Sequence, residues 1–73
     1  MYEVGEEVII KPIDPPIFTD DVYWNENIAG RIAIVSEIKG NHISIVYYTK
    51  EGEAETKVVR PDRVIKARKG EYI

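Results

Sequence analysis

The sequence predicts an all-β fold: five antiparallel strands in a small barrel, with a long first loop. Three observations lead there. The 73 residues include twelve Ile and eight Val but no Leu, so the chain is rich in side chains that suit a pleated sheet and lacks the commonest apolar helix former. Gly and Pro residues punctuate it into segments of strand length. The length allows one small domain, here the whole of 1–73, and leaves little room for a large enclosed active site.

The first strand is expected at about Glu7 to Lys11, with Val8 and Ile10 on one face and Ile9 on the other, and it ends at Pro12, which has no N–H to give to a ladder. The second runs from about Gly30 to Ile38 and the third from Ile43 to Thr49. Between them, Lys39-Gly40-Asn41-His42 has the residues of a tight hairpin. A second hairpin at Lys50-Glu51-Gly52-Glu53 brings back a fourth strand, Ala54 to Arg60, with Val58 inward and Glu55 and Lys57 toward water. Pro61-Asp62-Arg63 forms one tight turn, with 3₁₀ geometry available to it, before a short last strand at Val64 to Ala67.

Pro12 to Ala29 is too long for an ordinary connection in a compact domain, and such loops carry either function or structure of their own. It is either an ordered loop or the site of a short helix. A helix there would be capped by Thr19, favoured by Asp20 and Asp21 at its positive end, and given an apolar side by Val22, Tyr23 and Trp24. The apolar positions after Gly30 do not alternate strictly, so the second strand is either buried on both faces or carries a bulge that turns Val35 and Ile38 inward. The expected core is Val8, Ile10, Ile32, Val35, Ile38, Ile45, Tyr47, Val58 and Val64, with Ile43 at the rim.

Several functions find no support in the residues. Without Cys there is no thiolate nucleophile or Cys-based zinc site, and His42 alone makes no histidine cluster. Asp14, Asp20, Asp21 and Glu26 lack the spacing of a calcium loop, and the isolated glycines form no phosphate loop, so neither metal nor cofactor is expected. Adjacent acids such as Glu6 and Glu7 point to opposite faces of a strand and do not make an acid and base pair. The protein reads as a non-enzyme. The acidic N-terminal segment, with Glu3, Glu6 and Glu7, is unlike a signal peptide, and the apolar runs are short, which places the protein in the cytoplasm and away from membranes.

Order and spacing of the strands, together with Val4-Gly5-Glu6-Glu7-Val8, Gly30-Arg31-Ile32-Ala33-Ile34-Val35 and Val59-Arg60-Pro61-Asp62-Arg63-Val64, resemble the SH3-like small barrel, the middle segment being similar to the Gly-x-apolar strand of KOW-type barrels. The order of the Gly30 to Ile38 strand, the Lys50 to Glu53 hairpin and the tail Lys69-Gly70-Glu71-Tyr72-Ile73 faintly resembles the YorP family of short phage and prophage proteins, which brings no activity with it. In peptide-binding SH3 domains a groove forms from aromatics and acids of the long first loop and from the turn before the last strand. The similar positions here are Tyr23, Trp24, Tyr48 and Pro61, edged by Asp20 and Asp21, although the Ala-x-x-Tyr-x-Tyr opening of those domains is absent.

Two binding readings follow. Seven aromatics are more than so small a barrel can enclose, so an aromatic face of the long loop and third strand would bind a protein or peptide. The other possibility for Phe18 and Trp24 is to fold the loop down as a lid over the barrel end. The alternative partner is nucleic acid. From Arg31 onward there are nine bases against six acids, while residues 1–30 hold one base against seven acids. Lys57, Arg60, Arg63, Lys66 and Arg68 would contact phosphates, as in KOW-type and Tudor-like barrels. The net charge of −3 weighs against a non-specific phosphate binder.

Overall fold

The computed structural model describes residues 2–67. Strands β1 (Glu7–Ile10), β2 (Ile32–Lys39), β3 (His42–Tyr48), β4 (Ala54–Val59) and β5 (Val64–Lys66) form one antiparallel sheet in the order β4-β3-β2-β1-β5. A helix, α1 (Thr19–Asn27), lies in the long first connection, and a 3₁₀ turn at Pro61–Arg63 precedes β5. The fold is mostly sheet, as the composition predicts. Arg68 and the 69–73 tail lie outside the described residues.

The sheet is open between β4 and β5 but strongly curled. Laid flat, its edge strands would stand about 19 Å apart, whereas the five residue steps from Val59 to Val64 reach only about 16 Å even when extended, and three residues of that connection are wound into the 3₁₀ turn. Val59 and Val64 accordingly enter the same core, with Val8, Ile10, Ile28, Ala33, Val35, Ile43, Ile45 and Tyr47.

The hairpins are where the glycines put them. Lys39 pairs with His42 around Gly40-Asn41, and Gly40 takes a φ of +55° while no non-glycine residue among those described has positive φ, which is the glycine-first arrangement of a type II′ turn. In the second hairpin the Thr49 hydroxyl accepts the Glu53 N–H at 3.2 Å, and the Thr49 carbonyl accepts the Gly52 N–H at 2.9 Å.

Four expectations about the interior need correction. Ile32 and Val58 point outward, and Ala33 and Val59 take the inner positions. A bulge between Val35 and Glu37 shifts the register of β2, as one of the two sequence readings required. Ile38 is thereby brought opposite the buried Ile43, but it stands at the end of the hairpin and is half exposed, so Ile38 is the rim residue and Ile43 belongs to the core. Ile28, absent from the expected core, is buried just after α1.

Helix α1 is held by side-chain to backbone bonds more than by an amphipathic pattern. Its N-cap is Phe18, with Thr19 the first helical residue, so Thr19 is not the cap. The Asp21 carboxylate supplies the capping by accepting the N–H groups of Ile17 (3.0 Å) and Phe18 (3.1 Å). These two bonds hold its carboxyl below the ordinary carboxylate range, with a smaller contribution from the nearby Arg63 guanidinium. Asn25 makes a two-way clamp on Ile13, accepting its N–H and donating to its carbonyl, both at 2.7 Å. Trp24 Nε1 donates to the Lys11 carbonyl at 2.8 Å while its ring packs, mostly buried, on the core. Trp24 and Ile28, one helical turn apart, are the residues that fix α1 to the sheet.

Candidate functional site

The outer face of the sheet is apolar across all five strands. Pairing of Ile32 with Ile9 and of Ile9 with Ile65 lines up three isoleucines on β2, β1 and β5. Tyr48 and Ala54, a pair on β3 and β4, continue that row, two steps along from the Ile34–Val46 pair. A second row holds Thr56, Val46, Ile34 and Glu7. Alternation makes these positions outward, because Val8, Ile10, Ala33, Val35, Ile43, Ile45, Tyr47, Val59 and Val64 all face the core.

Exposure on this face is large: Tyr48 67%, Val58 67%, Ile32 61%, Ile65 48% and Ile34 47%. With the partly covered Ile9 and Val46, the open apolar surface is on the order of 500 Å², at the upper end of the roughly 300–600 Å² found for the largest patch on a monomer. Polar side chains stand at its margin: Glu7, Glu37, Ser44 and Thr56, with Glu37 3.8 Å from Lys39.

A separate cleft lies between the β2–β3 hairpin and the 3₁₀ turn. One lobe of about 340 Å³ is lined by Gly40, Asn41, Arg60, Pro61 and Asp62. An adjoining lobe of about 230 Å³ is lined by Tyr2, Ile38, Gly40, Ile43 and Pro61. Tyr2 closes it from the N-terminal side, its hydroxyl donating to the Val64 carbonyl at 3.0 Å and its ring lying under Lys66 Nζ, 5.6 Å from the centroid. Burial, helped by Glu6, raises the Tyr2 pKa above its ordinary value.

The residues expected to form one aromatic binding face are distributed over three places. Pro61 lines the cleft at the His42 end of β3, while Tyr48 is at the other end of that strand, about 20 Å away. Trp24 is tied to Lys11 and the core, and Asp21 is committed to capping α1. Asp20 and Tyr23 are exposed on the helix. Tyr23 and Tyr48 do share one end of the molecule. Arg31 links them by donating from Nε to the Asn27 carbonyl (2.8 Å) and from its guanidinium to the Tyr48 carbonyl (3.1 Å), and the Asn27 side chain donates to the Tyr23 carbonyl (3.1 Å). Between them Tyr47 is buried, and burial first, then Glu55 and Tyr23, raise its pKa.

The basic set is also dispersed. Lys66 stands 3.5 Å from Glu6, Arg63 lies beside Asp21, Arg60 is on the cleft, and Lys57 pairs with Ile45 on the core side of β4. Among the described residues no group of three or more His, Cys, Asp or Glu side chains is placed to hold a metal ion, and no helix is long and apolar enough to cross a membrane.

Sequence reasoning missed Ile9, Ile32, Ile34, Val46, Val58 and Ile65 as a surface. Its signal was present: the unbroken Ile32-Ala33-Ile34-Val35 run and the Val58-Val59 pair put apolar side chains on both faces of their strands. The chain matches no protein-family model, no curated protein and no solved structure.

Proposed function

We propose that the protein is a non-catalytic interaction module that binds another protein chain through the outer face of its sheet, with Tyr48 in that face. The observation that carries this is the apolar row crossing all five strands. An antiparallel sheet with one face in water ordinarily alternates apolar and polar side chains, whereas here the uncovered outer face is itself apolar, and exposed apolar patches of this extent mark interaction surfaces. Tyr48 is the residue shared with the expected aromatic face. Tyr23 flanks it, whereas Trp24 acts as the lid that the sequence offered as the other possibility.

The strand order, the long first connection and the 3₁₀ turn before the last strand support reading the fold as an SH3-like small barrel. The YorP resemblance supports a phage or prophage setting, and with it a cytoplasmic one, through the β2 region and the second hairpin. Acids beside Lys66 and Arg63 favour a protein partner over nucleic acid, because a phosphate would have to compete with them.

A photo-reactive residue at position 34 tests this in the producing cell. Protein adducts are expected at position 34 and not at position 18, where Phe18 is more exposed but off the face. Equal adduct patterns at the two positions, or none at 34, would overturn the proposal.

A further inference from the structure

We infer that the free edge of β4 pairs with the same edge of a second copy, antiparallel about a twofold axis at Thr56, so that the two sheets join edge to edge. The inference concerns the edge of the sheet and leaves the outer face open, so it goes beyond the reading of that face.

The main chain makes the edge available. Strand β4 ends the sheet, and among the described residues no element other than β3 runs beside it. The Thr49 N–H donates to the Glu53 carbonyl at 2.8 Å, which makes Thr49–Glu53 a hydrogen-bonded pair of the β3–β4 hairpin. Such pairs alternate along an antiparallel ladder. Glu55, Lys57 and Val59 therefore bond to β3, while Ala54, Thr56 and Val58 turn their N–H and carbonyl groups to the free edge. No described turn or loop takes up these groups. The two edges of the curled sheet meet the same core at Val59 and Val64, beyond these residues, and Ala54, Thr56 and Val58 are exposed.

The side chains select the partner. Glu55 and Lys57 lie on the inward side of β4, opposite Tyr47 and Ile45, and among the described residues neither makes an ion pair. Inward charges on an edge strand ordinarily oppose strand addition, because an added strand would cover them without a counter-charge. Here the two are of opposite sign and stand on either side of Thr56. A second β4, antiparallel with Thr56 opposite Thr56, sets Glu55 of each copy against Lys57 of the other. An unrelated strand would have to bring Glu-x-Lys at this register, whereas a second copy brings it by symmetry.

Register follows from the same residues. Pairing about Thr56 makes Thr56–Thr56 and both Ala54–Val58 pairs the hydrogen-bonded ones, which engages every free main-chain group from 54 to 58. The Glu55–Lys57 pairs then become the non-bonded ones, whose Cα atoms approach to about 4.5 Å and whose side chains are closest. Moving the axis to either neighbouring residue sets Glu55 against Glu55 or Lys57 against Lys57, and like charges directly opposite are destabilising. On the outer side Val58, 67% exposed, comes beside Ala54 of the second copy and extends its Tyr48–Ala54 row.

Disulfide trapping tests the register. The chain has no cysteine, and hydrogen-bonded pairs hold their Cα atoms about 5.5 Å apart, within reach of a disulfide. The full chain carrying Thr56→Cys is expected to form an intermolecular disulfide in a glutathione buffer. Val58→Cys, on the same edge, faces Ala54 of the second copy and should give a yield lower by roughly tenfold. Sedimentation equilibrium at about 5 to 500 μM, a range that brackets small interfaces, should show the wild type approaching dimer mass. Glu55→Lys or Lys57→Glu alone turns both attractive pairs repulsive and should raise the dissociation constant roughly tenfold or more; the two together should return it to within about threefold of the wild type. Glu55 is exposed, so Glu55→Lys is expected to keep the wild-type circular dichroism spectrum. Ile34→Lys, on the outer face of β2, should leave the dissociation constant unchanged. A wild type that stays monomeric throughout, equal disulfide yields at 56 and 58, or a double variant no tighter than the single ones would overturn the inference. Adducts at position 34 report on the outer face alone, so that reading stands or falls separately.

Discussion

Replacing Trp24 measures how much of the long connection is structural. Its indole is mostly buried on the core and its Nε1 donates to the Lys11 carbonyl at 2.8 Å. About two-thirds of a side chain of roughly 200 Å², at about 25 cal/mol per Å², gives about 3 kcal/mol for the buried ring, and the hydrogen bond adds about 1 kcal/mol. Trp24→Ala is therefore expected to cost about 3–4 kcal/mol. Trp24→Phe keeps most of the ring contact and should cost about 1 kcal/mol, because the freed Lys11 carbonyl is near solvent. A domain of this size has roughly 4–11 kcal/mol in total, so the alanine variant should fold with little margin and melt roughly 12–30 °C lower. Urea unfolding followed by circular dichroism is the suitable assay, since the chain has one Trp and the substitution removes its fluorescence. A loss below about 1 kcal/mol for Trp24→Ala would refute the anchoring role and return Trp24 to the list of residues free to meet a ligand.

Two further outcomes test the connection. The Asp21 carboxyl has a folded pKa below its unfolded value, so its capping contribution is complete above about pH 4 and is lost as pH falls through the lower folded pKa. The amide proton shifts of Ile17 and Phe18 should titrate together in that acid window and stop doing so in Asp21→Asn; shifts that are flat in the wild type would contradict the capping. Gly30 follows α1 with φ +87° and donates its N–H to the Ile10 carbonyl at 2.7 Å, so Gly30→Ala should cost about 1 kcal/mol or more in thermal unfolding, although a Cβ there meets no neighbour. An unchanged melting temperature would show that the turn relaxes without strain.

Local patterns carried the elements, and parity along the strands is where they fell short. The hairpins at 39–42 and 49–53, the bulge in β2 and the 3₁₀ turn follow from Gly, Pro and broken alternation, signals that lie within a few residues. Where both neighbours on a strand are apolar, as at Ile32-Ala33 and Val58-Val59, side-chain volume either favours the wrong residue or does not distinguish the two, so the sequence reading took Ile32 and Val58 as core. Register decides the question. Val8 pairs with Ala33 and Ile43 with Val59, and those pairings send Ile32 and Val58 out. Ile28 escaped notice because its burial depends on where α1 docks and not on a strand pattern.

The binding residues show the same division. Aromatics and prolines far apart in sequence were grouped by analogy of placement, yet Pro61 and Tyr48 stand at opposite ends of β3, and Trp24 and Asp21 are occupied within the chain. By itself the sequence determined an all-β chain with five strands placed along it, the turns between them and a long first connection, because β-branched composition and turn chemistry act locally. Only the tertiary structure decided which face of each strand met the core. A sheet with apolar side chains on both faces can fold either way up, and the choice is made by the sum of its cross-strand pairings. That choice put Ile9, Ile32, Ile34, Val46, Tyr48, Val58 and Ile65 together on the outside.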